Sequence, residues 1–152
     1  MNRIASFSVD HDLITPGVYI SRIDDDITTF DLRTRKPNNG DYMNNVTMHT
    51  VEHMFATLIR NSEIGNRVIY FGPMGCRTGF YLLTRNVEPQ EVYRVVIDTL
   101  EKIISYKGKV FGAHRKECGN YRSLNLSSAK KECKRYLNIL KDKECNFKYP
   151  EE

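Results

Sequence analysis

The sequence lacks any apolar run approaching the ~20 residues that span a bilayer, so no membrane partner is expected. Its opening stretch, MNRIASFSVDHDLITPGV, has no long apolar segment ahead of a small-residue cleavage site, as a secretory signal would. A cytoplasmic location is the resulting expectation. Internal repeats and low-complexity tracts are missing, which excludes solenoids and biased linkers. A strong charge imbalance is missing as well. Lys and Arg number 23 against 19 Asp and Glu, leaving +4 spread along the chain. The densest basic runs, RTRKP and KKECKR, read as solvated surface, and no nucleic-acid partner is expected. Cysteine is sparse: four thiols stand at 76, 118, 133 and 145. In a reducing cytoplasm they are expected as metal ligands, catalysts or plain thiols, not disulfides.

What is there reads as one globular domain over residues 1–152. Forty per cent apolar and 28% charged residues is an ordinary balance, and the length supports a real core. GVYISRI and ITTFDLRTR are β-rich runs around an acidic DDD and read as a hairpin. PNNGDYMNN is a loop. The period then changes: Met48, Val51, Phe55 and Leu58 share one helical face. A helix is expected from about Val46 to Arg60, capped by Asn44, Asn45 or Thr47. NRVIYFG and RTGFYLLTR are strands around the turn GPMGC. Val92, Val95, Val96, Leu100, Ile103 and Ile104 give an amphipathic helix over Glu88–Ser105 with Pro near its start. YKGKVFGAHRKECGNYRSLNL is an irregular crossing. SSAKKECKRYLNILK is a last helix with Ser127 or Ser128 as cap. Strands and helices mix without a βαβαβ rhythm. That predicts an α+β fold, a mostly antiparallel sheet packed against helices on one side.

The stretch MHTVEHMFATLIR is the chemical centre of interest. Residues i, i+3 and i+4 share a helical face, so His49, Glu52 and His53 project together. His-x-x-Glu-His is the inverted zincin order, in which the histidines bind metal and the carboxylate moves protons. The bland alternative is a helix whose histidines meet water or each other. Against it, the trio lies beside the core stripe, and half-buried imidazoles need partners. A metal would need a third ligand. Cys76 and Cys118 both lie in irregular segments where a side chain can be aimed at a cleft. Cys133, inside the last helix, reads as a packing thiol, and Cys145, in a polar tail, as an exposed one. That leaves two cysteines and one ligand position, and the cysteine not taken would be a reactive thiolate beside the cation.

Three motifs resemble the S-ribosylhomocysteine lyase (LuxS) family: HTVEH at 49–53, GPMGCRTGFYL at 72–82 and ECGNY at 117–121. SFSVDH at 6–11 and FDLRTRKPN at 30–38 are softer matches in the same order, so the resemblance covers nearly the whole chain. It implies a homodimer with active sites at the interface. It implies one divalent metal per subunit, iron(II) or zinc, on His49, His53 and Cys118. Cys76 matches the family's catalytic thiolate and Glu52 its second acid/base. Ser6, His11 and Arg33 match residues that line the substrate site, with Arg60 a weaker candidate. Taken alone, Ser6, His11 and Arg33 would each pass as surface or turn chemistry. One departure stands out. The family pattern has an acidic residue and a serine ahead of PMGC, where this chain has Tyr70 and Gly72, so a substrate hydroxyl contact is expected to be lost or replaced.

The implied reaction cleaves S-ribosylhomocysteine to homocysteine and dihydroxypentanedione, a quorum-signal precursor. The carbonyl must migrate along the sugar by two proton shifts through enediolates. β-Elimination then breaks the carbon–sulfur bond. A Lewis acid suits the enediolate charge, and two acid/base groups on opposite sides suit the proton shifts. Cys76 as thiolate fits the carbon-bound protons, kept ionised by a cation such as Arg33. Glu52 fits the oxygen-bound protons and the elimination. Two rivals use the same helix. A small zinc metallopeptidase would take a distant carboxylate, Glu117 or Glu132, as third ligand. A structural zinc-binding module would close the site with Cys76 as fourth ligand.

Overall fold

The computed structural model describes residues 1–151. Four strands form one antiparallel sheet in the order β1-β2-β4-β3: β1 (Gly17–Asp24), β2 (Ile27–Arg33), β3 (Val68–Pro73) and β4 (Gly79–Arg85). Three helices complete the domain: α1 (Asn45–Arg60), α2 (Pro89–Ser105) and α3 (Leu126–Lys141). The expected α+β arrangement is therefore what the chain forms. The register pairs Phe30 with Leu82 and Leu32 with Phe80, which puts all four side chains on the helix-facing side. There Phe71 stacks between Phe55 of α1 (4.4 Å) and Phe80 (5.1 Å). Of the stripe that periodicity marked on α1, Val51 and Phe55 are buried and Met48 and Leu58 half-buried, while Met54 and Ile59 complete the buried face.

The helix ends follow capping chemistry. Asn44 caps α1, its side chain accepting from the Thr47 amide at 2.8 Å. At α3 the cap is Asn125, not Ser127 or Ser128. Its side-chain oxygen accepts from the Ser128 amide at 3.0 Å, so those serines lie inside the first turn. Arg60, at the end of α1, donates to the carbonyls of Val68 (3.4 Å) and Ile69 (3.0 Å) and so ties the helix to β3.

The other face of the sheet is not covered by α1, α2 or α3; a single 3-10 turn, Ala5–Phe7, lies against its groove. Tyr19, Asp31, Arg33 and Tyr81 alternate with the core residues, yet Asp31 and Arg33 are only 0% and 2% exposed. An arginine in an alternating strand reads as a solvated charge; here the tail beyond α3 covers it. Phe147 is buried, its carbonyl accepts from the Ile20 amide at 2.8 Å, and Tyr149 stacks on Tyr19 at 4.8 Å. The same tail corrects the reading of Cys145 as exposed. It is half-buried, with its Sγ donating to the Val18 carbonyl at 3.4 Å. Cys133 is buried as expected, and burial, with the charge of Glu132, pushes its thiol up to about 12. Among the described residues no helix is long and apolar enough to cross a membrane.

Candidate active site

The regular geometry of α1 brings the two imidazoles together. One turn apart, His49 and His53 have ring centroids 4.6 Å from each other, edge to face. The irregular segment between α2 and α3 then fixes both rings. His49 Nδ1 meets the Ser123 carbonyl at 2.8 Å, and His53 Nδ1 meets the Phe111 carbonyl at 2.8 Å. A carbonyl only accepts, so each Nδ1 carries the proton and, in the neutral ring, Nε2 is the nitrogen free to bind a metal. That is the orientation a metal-binding histidine needs. Gly112 makes one of these contacts possible. Its φ is +69°, and a Cβ there would stand 3.1 Å from His53 Nδ1. The Asn125 amide also donates to Thr50 Oγ1 at 2.9 Å, a third tie between the segment and α1.

The segment delivers Cys118 to the same place. Its Sγ is 3.4 Å from His49 Nε2, and the Asn120 amide donates to the sulfur at 3.4 Å. The ligand atoms of His49, His53 and Cys118 all lie within 4.8 Å of one another, the one such group among the described residues. Two imidazoles and a thiol, with Nδ1 protons already committed elsewhere, suit a divalent transition metal. Cys76 is not in the group, so three protein donors are present rather than the four of a closed structural site. Glu132, offered as a peptidase ligand, is buried and held by Arg35 at 2.6 Å, and Glu117 is exposed outside the group.

The S-ribosylhomocysteinase (LuxS) family model matches residues 4–146. The chain belongs to the LuxS family. Relatives named S-ribosylhomocysteine lyase align end to end with it. One from Finegoldia magna is 44% identical over 157 residues, covering 99% of this chain and 100% of the relative. One from Borreliella afzelii is 43% identical at the same coverage. One from Clostridium beijerinckii is 39% identical over 158 residues, covering 99% of each.

The other motif residues of this LuxS chain fall in three places. Glu52 sits half-buried on the histidine face of α1 and takes part in no ion pair among the described residues. Cys76 is exposed on the turn between β3 and β4, with its Sγ 3.0 Å from Thr78 Oγ1 and 4.0 Å from Arg33 Nη1. Arg33 also donates to Thr78 Oγ1 at 2.8 Å. Burial opposes charge on Arg33, but the adjacent Asp31 outweighs it, and the guanidinium pKa is held above its ordinary value. The third group lies apart within one chain. Ser6 lines a groove on the open sheet face with Ile4, Tyr70 and Tyr81. His11 Nδ1 meets the Val9 carbonyl of its own segment at 2.9 Å. Arg60 follows His49 by eleven positions, about 16 Å along the helix axis.

The Tyr70 and Gly72 departure has a steric basis. A Cβ at Gly72 would lie 1.9 Å from the Tyr70 hydroxyl, so the phenol fills the space of a side chain at 72. Glycine at 72 thus leaves room for the Tyr70 phenol. Sequence reasoning missed Asp31, Thr78 and Tyr149, the partners of Arg33 and Cys76. The signal that could have found Asp31 is its place in FDLR, two positions from Arg33 on the same strand face.

Proposed function

We propose that this chain is an S-ribosylhomocysteine lyase, releasing homocysteine and dihydroxypentanedione. The observation that carries the reading is the convergence of two Nε2 lone pairs and a cysteine sulfur beside Glu52, with a second cysteine standing separately against an arginine. We assign His49, His53 and Cys118 as ligands of one zinc or iron(II) ion, whose Lewis acidity would stabilise negative charge on the substrate's oxygens.

The remaining work falls to this chain's own residues. Cys76 removes the proton on the carbon next to the carbonyl and returns one to the neighbouring carbon, so the carbonyl migrates. Arg33 and Thr78 hold the sulfur in place, the guanidinium favouring negative charge there and the hydroxyl offering a hydrogen bond. Glu52 shuttles protons among the hydroxyl oxygens. In the elimination Cys76 takes the proton from the carbon between the migrated carbonyl and the carbon–sulfur bond, that C–H pair forms the new double bond, and homocysteine leaves with the carbon–sulfur pair, its sulfur protonated by Glu52. Tyr70 supplies the hydroxyl contact that the family pattern places at residue 72.

A homodimer accounts for the residues left apart. The groove on the open sheet face is flanked by exposed Ile4 and Tyr70, with exposed Phe7 and Ile69 nearby in the chain. A second copy seated there would bury these groups and bring Ser6, His11 and Arg60 toward a shared substrate site. A cytoplasmic location and a part in quorum-signal synthesis complete the reading.

The test is thiol release under anaerobic conditions. Metal-loaded protein and S-ribosylhomocysteine should yield free homocysteine. Cys76→Ala should yield none, and Glu52→Gln should keep its metal while losing about 10²- to 10⁴-fold in kcat. A folded, metal-loaded wild type that releases no homocysteine overturns the proposal, and normal turnover by Glu52→Gln removes its assigned role.

A further inference from the structure

Tyr149 stands eight residues past Lys141, the end of α3, and far in sequence from every motif residue. The tail is anchored just before it. Phe147 pairs with Tyr19 as a parallel bridge and lays its ring edge-on against Phe30 at 6.3 Å. Its φ of +62° turns the chain over β1. Tyr149 then stacks on Tyr19, and its hydroxyl donates to Asp31 Oδ2 at 2.7 Å. Burial, then the neighbouring charge of Asp31, raises the Tyr149 phenol, which keeps it a donor.

Asp31 is fully buried and grips Arg33 with both oxygens, Oδ2 at 2.6 Å from Nη2 and Oδ1 at 3.1 Å from Nε. Arg33 therefore has one nitrogen left over, Nη1, and it faces Thr78 at 2.8 Å and Cys76 at 4.0 Å. The chain of contacts runs from the tail to the sulfur without a gap: phenol, carboxylate, guanidinium, thiol. A bidentate pair holds the guanidinium plane rigidly, so whatever fixes the carboxylate fixes the direction of Nη1. The phenol proton also draws charge from Asp31. Without it, more of the Arg33 charge is cancelled by its carboxylate and less reaches the sulfur.

We infer that Tyr149 is a positioning residue for Cys76, so that the C-terminal tail is a working part of the active site. This rests on the assignment of Cys76 to proton transfer, but its test does not. Tyr149→Phe removes only the hydroxyl and keeps the stacked ring. In the metal-loaded protein, iodoacetamide labelling of Cys76, followed on its own peptide by mass spectrometry, should slow by about 3- to 10-fold. The kcat for homocysteine release should fall by a similar factor, with KM changed less than about twofold. Lys148→Ala, an exposed neighbour in the tail, should match wild type in both. Unchanged labelling in Tyr149→Phe, whether or not its melting temperature drops, overturns the inference and leaves the contact as a seal on a buried ion pair. If wild type labels at Cys76 but releases no homocysteine, the lyase reading falls while the labelling comparison still decides the role of Tyr149.

Discussion

His49 and His53 ride on one face of a regular helix, whereas Cys76 rides on a turn between two strands. The histidines get their mutual placement from helical repeat alone, and the irregular segment only has to bring two carbonyls to their Nδ1 atoms. The thiol gets only one partner from its turn. Its surroundings come from β2 through Arg33, from its own turn through Thr78, and from the distant tail through Asp31 and Tyr149. A ligand set can be laid down by local periodicity. The cation beside Cys76 has to be brought from elsewhere in the fold, and it is buried with its counter-ion.

Mutation should separate the two halves. The largest effect is expected from removing a ligand. Cys118→Ala should lose metal and, with it, the folding free energy that binding contributes, lowering the melting temperature on the order of 10 °C. Cys76→Ala should leave both metal content and melting temperature near wild type while abolishing turnover. Elemental analysis beside a thermal scan checks this, and equal metal loss in the two variants would merge the halves into one site. A medium effect comes with alkali. The Cys133 thiol is pushed up to about 12 in the fold, chiefly by burial, against 9.0 for the ordinary group, and burial likewise raises Tyr136. Folded-state values above unfolded ones give stability that is full below the ordinary value and drains away as pH climbs. Urea midpoints should therefore fall between about pH 9 and pH 11. In the same range Cys133 should stay unlabelled in the native protein while Cys76 reacts, and labelling of both at equal rates would contradict the contrast. The smallest effect belongs to Gly72→Ser. The added side chain meets the Tyr70 phenol, but that ring is 50% exposed and can swing into solvent, so a cost of about 1 kcal/mol is expected. Tyr70→Ala should cancel it in a double-mutant cycle by chemical denaturation.

The legible part of the molecule was the periodic part. The helix-facing stripes of α1 and α2, the strands, the His-x-x-Glu-His face and the two cysteines in irregular segments all carry local signals. The choice between Cys76 and Cys118 as third ligand had no local signal. It depends on how a twenty-residue crossing without repeat folds back over α1, through backbone carbonyls that any residue could supply. Gly112 is the one side-chain trace of that path. Arg33 read as solvated because nothing in KECNFKYP announces that the tail recrosses β1 and roofs Asp31. Cys145 was misjudged for the same reason, its polar neighbours masking a return to the Val18 carbonyl.

That return has a consequence beyond the active site. β1 and β3 are the two edges of the sheet. On β1, Phe147 takes the Ile20 amide, and Tyr136 and Cys145 donate to the carbonyls of Gly17 and Val18. On β3, Arg60 occupies the carbonyls of Val68 and Ile69. The β1 edge is thus capped along its first half, and the β3 edge at its start, which obstructs strand addition, the common route from a small sheet to aggregates, at those points. The tail and Arg60 therefore act as partial guards of the sheet's edges as well as ties within the fold.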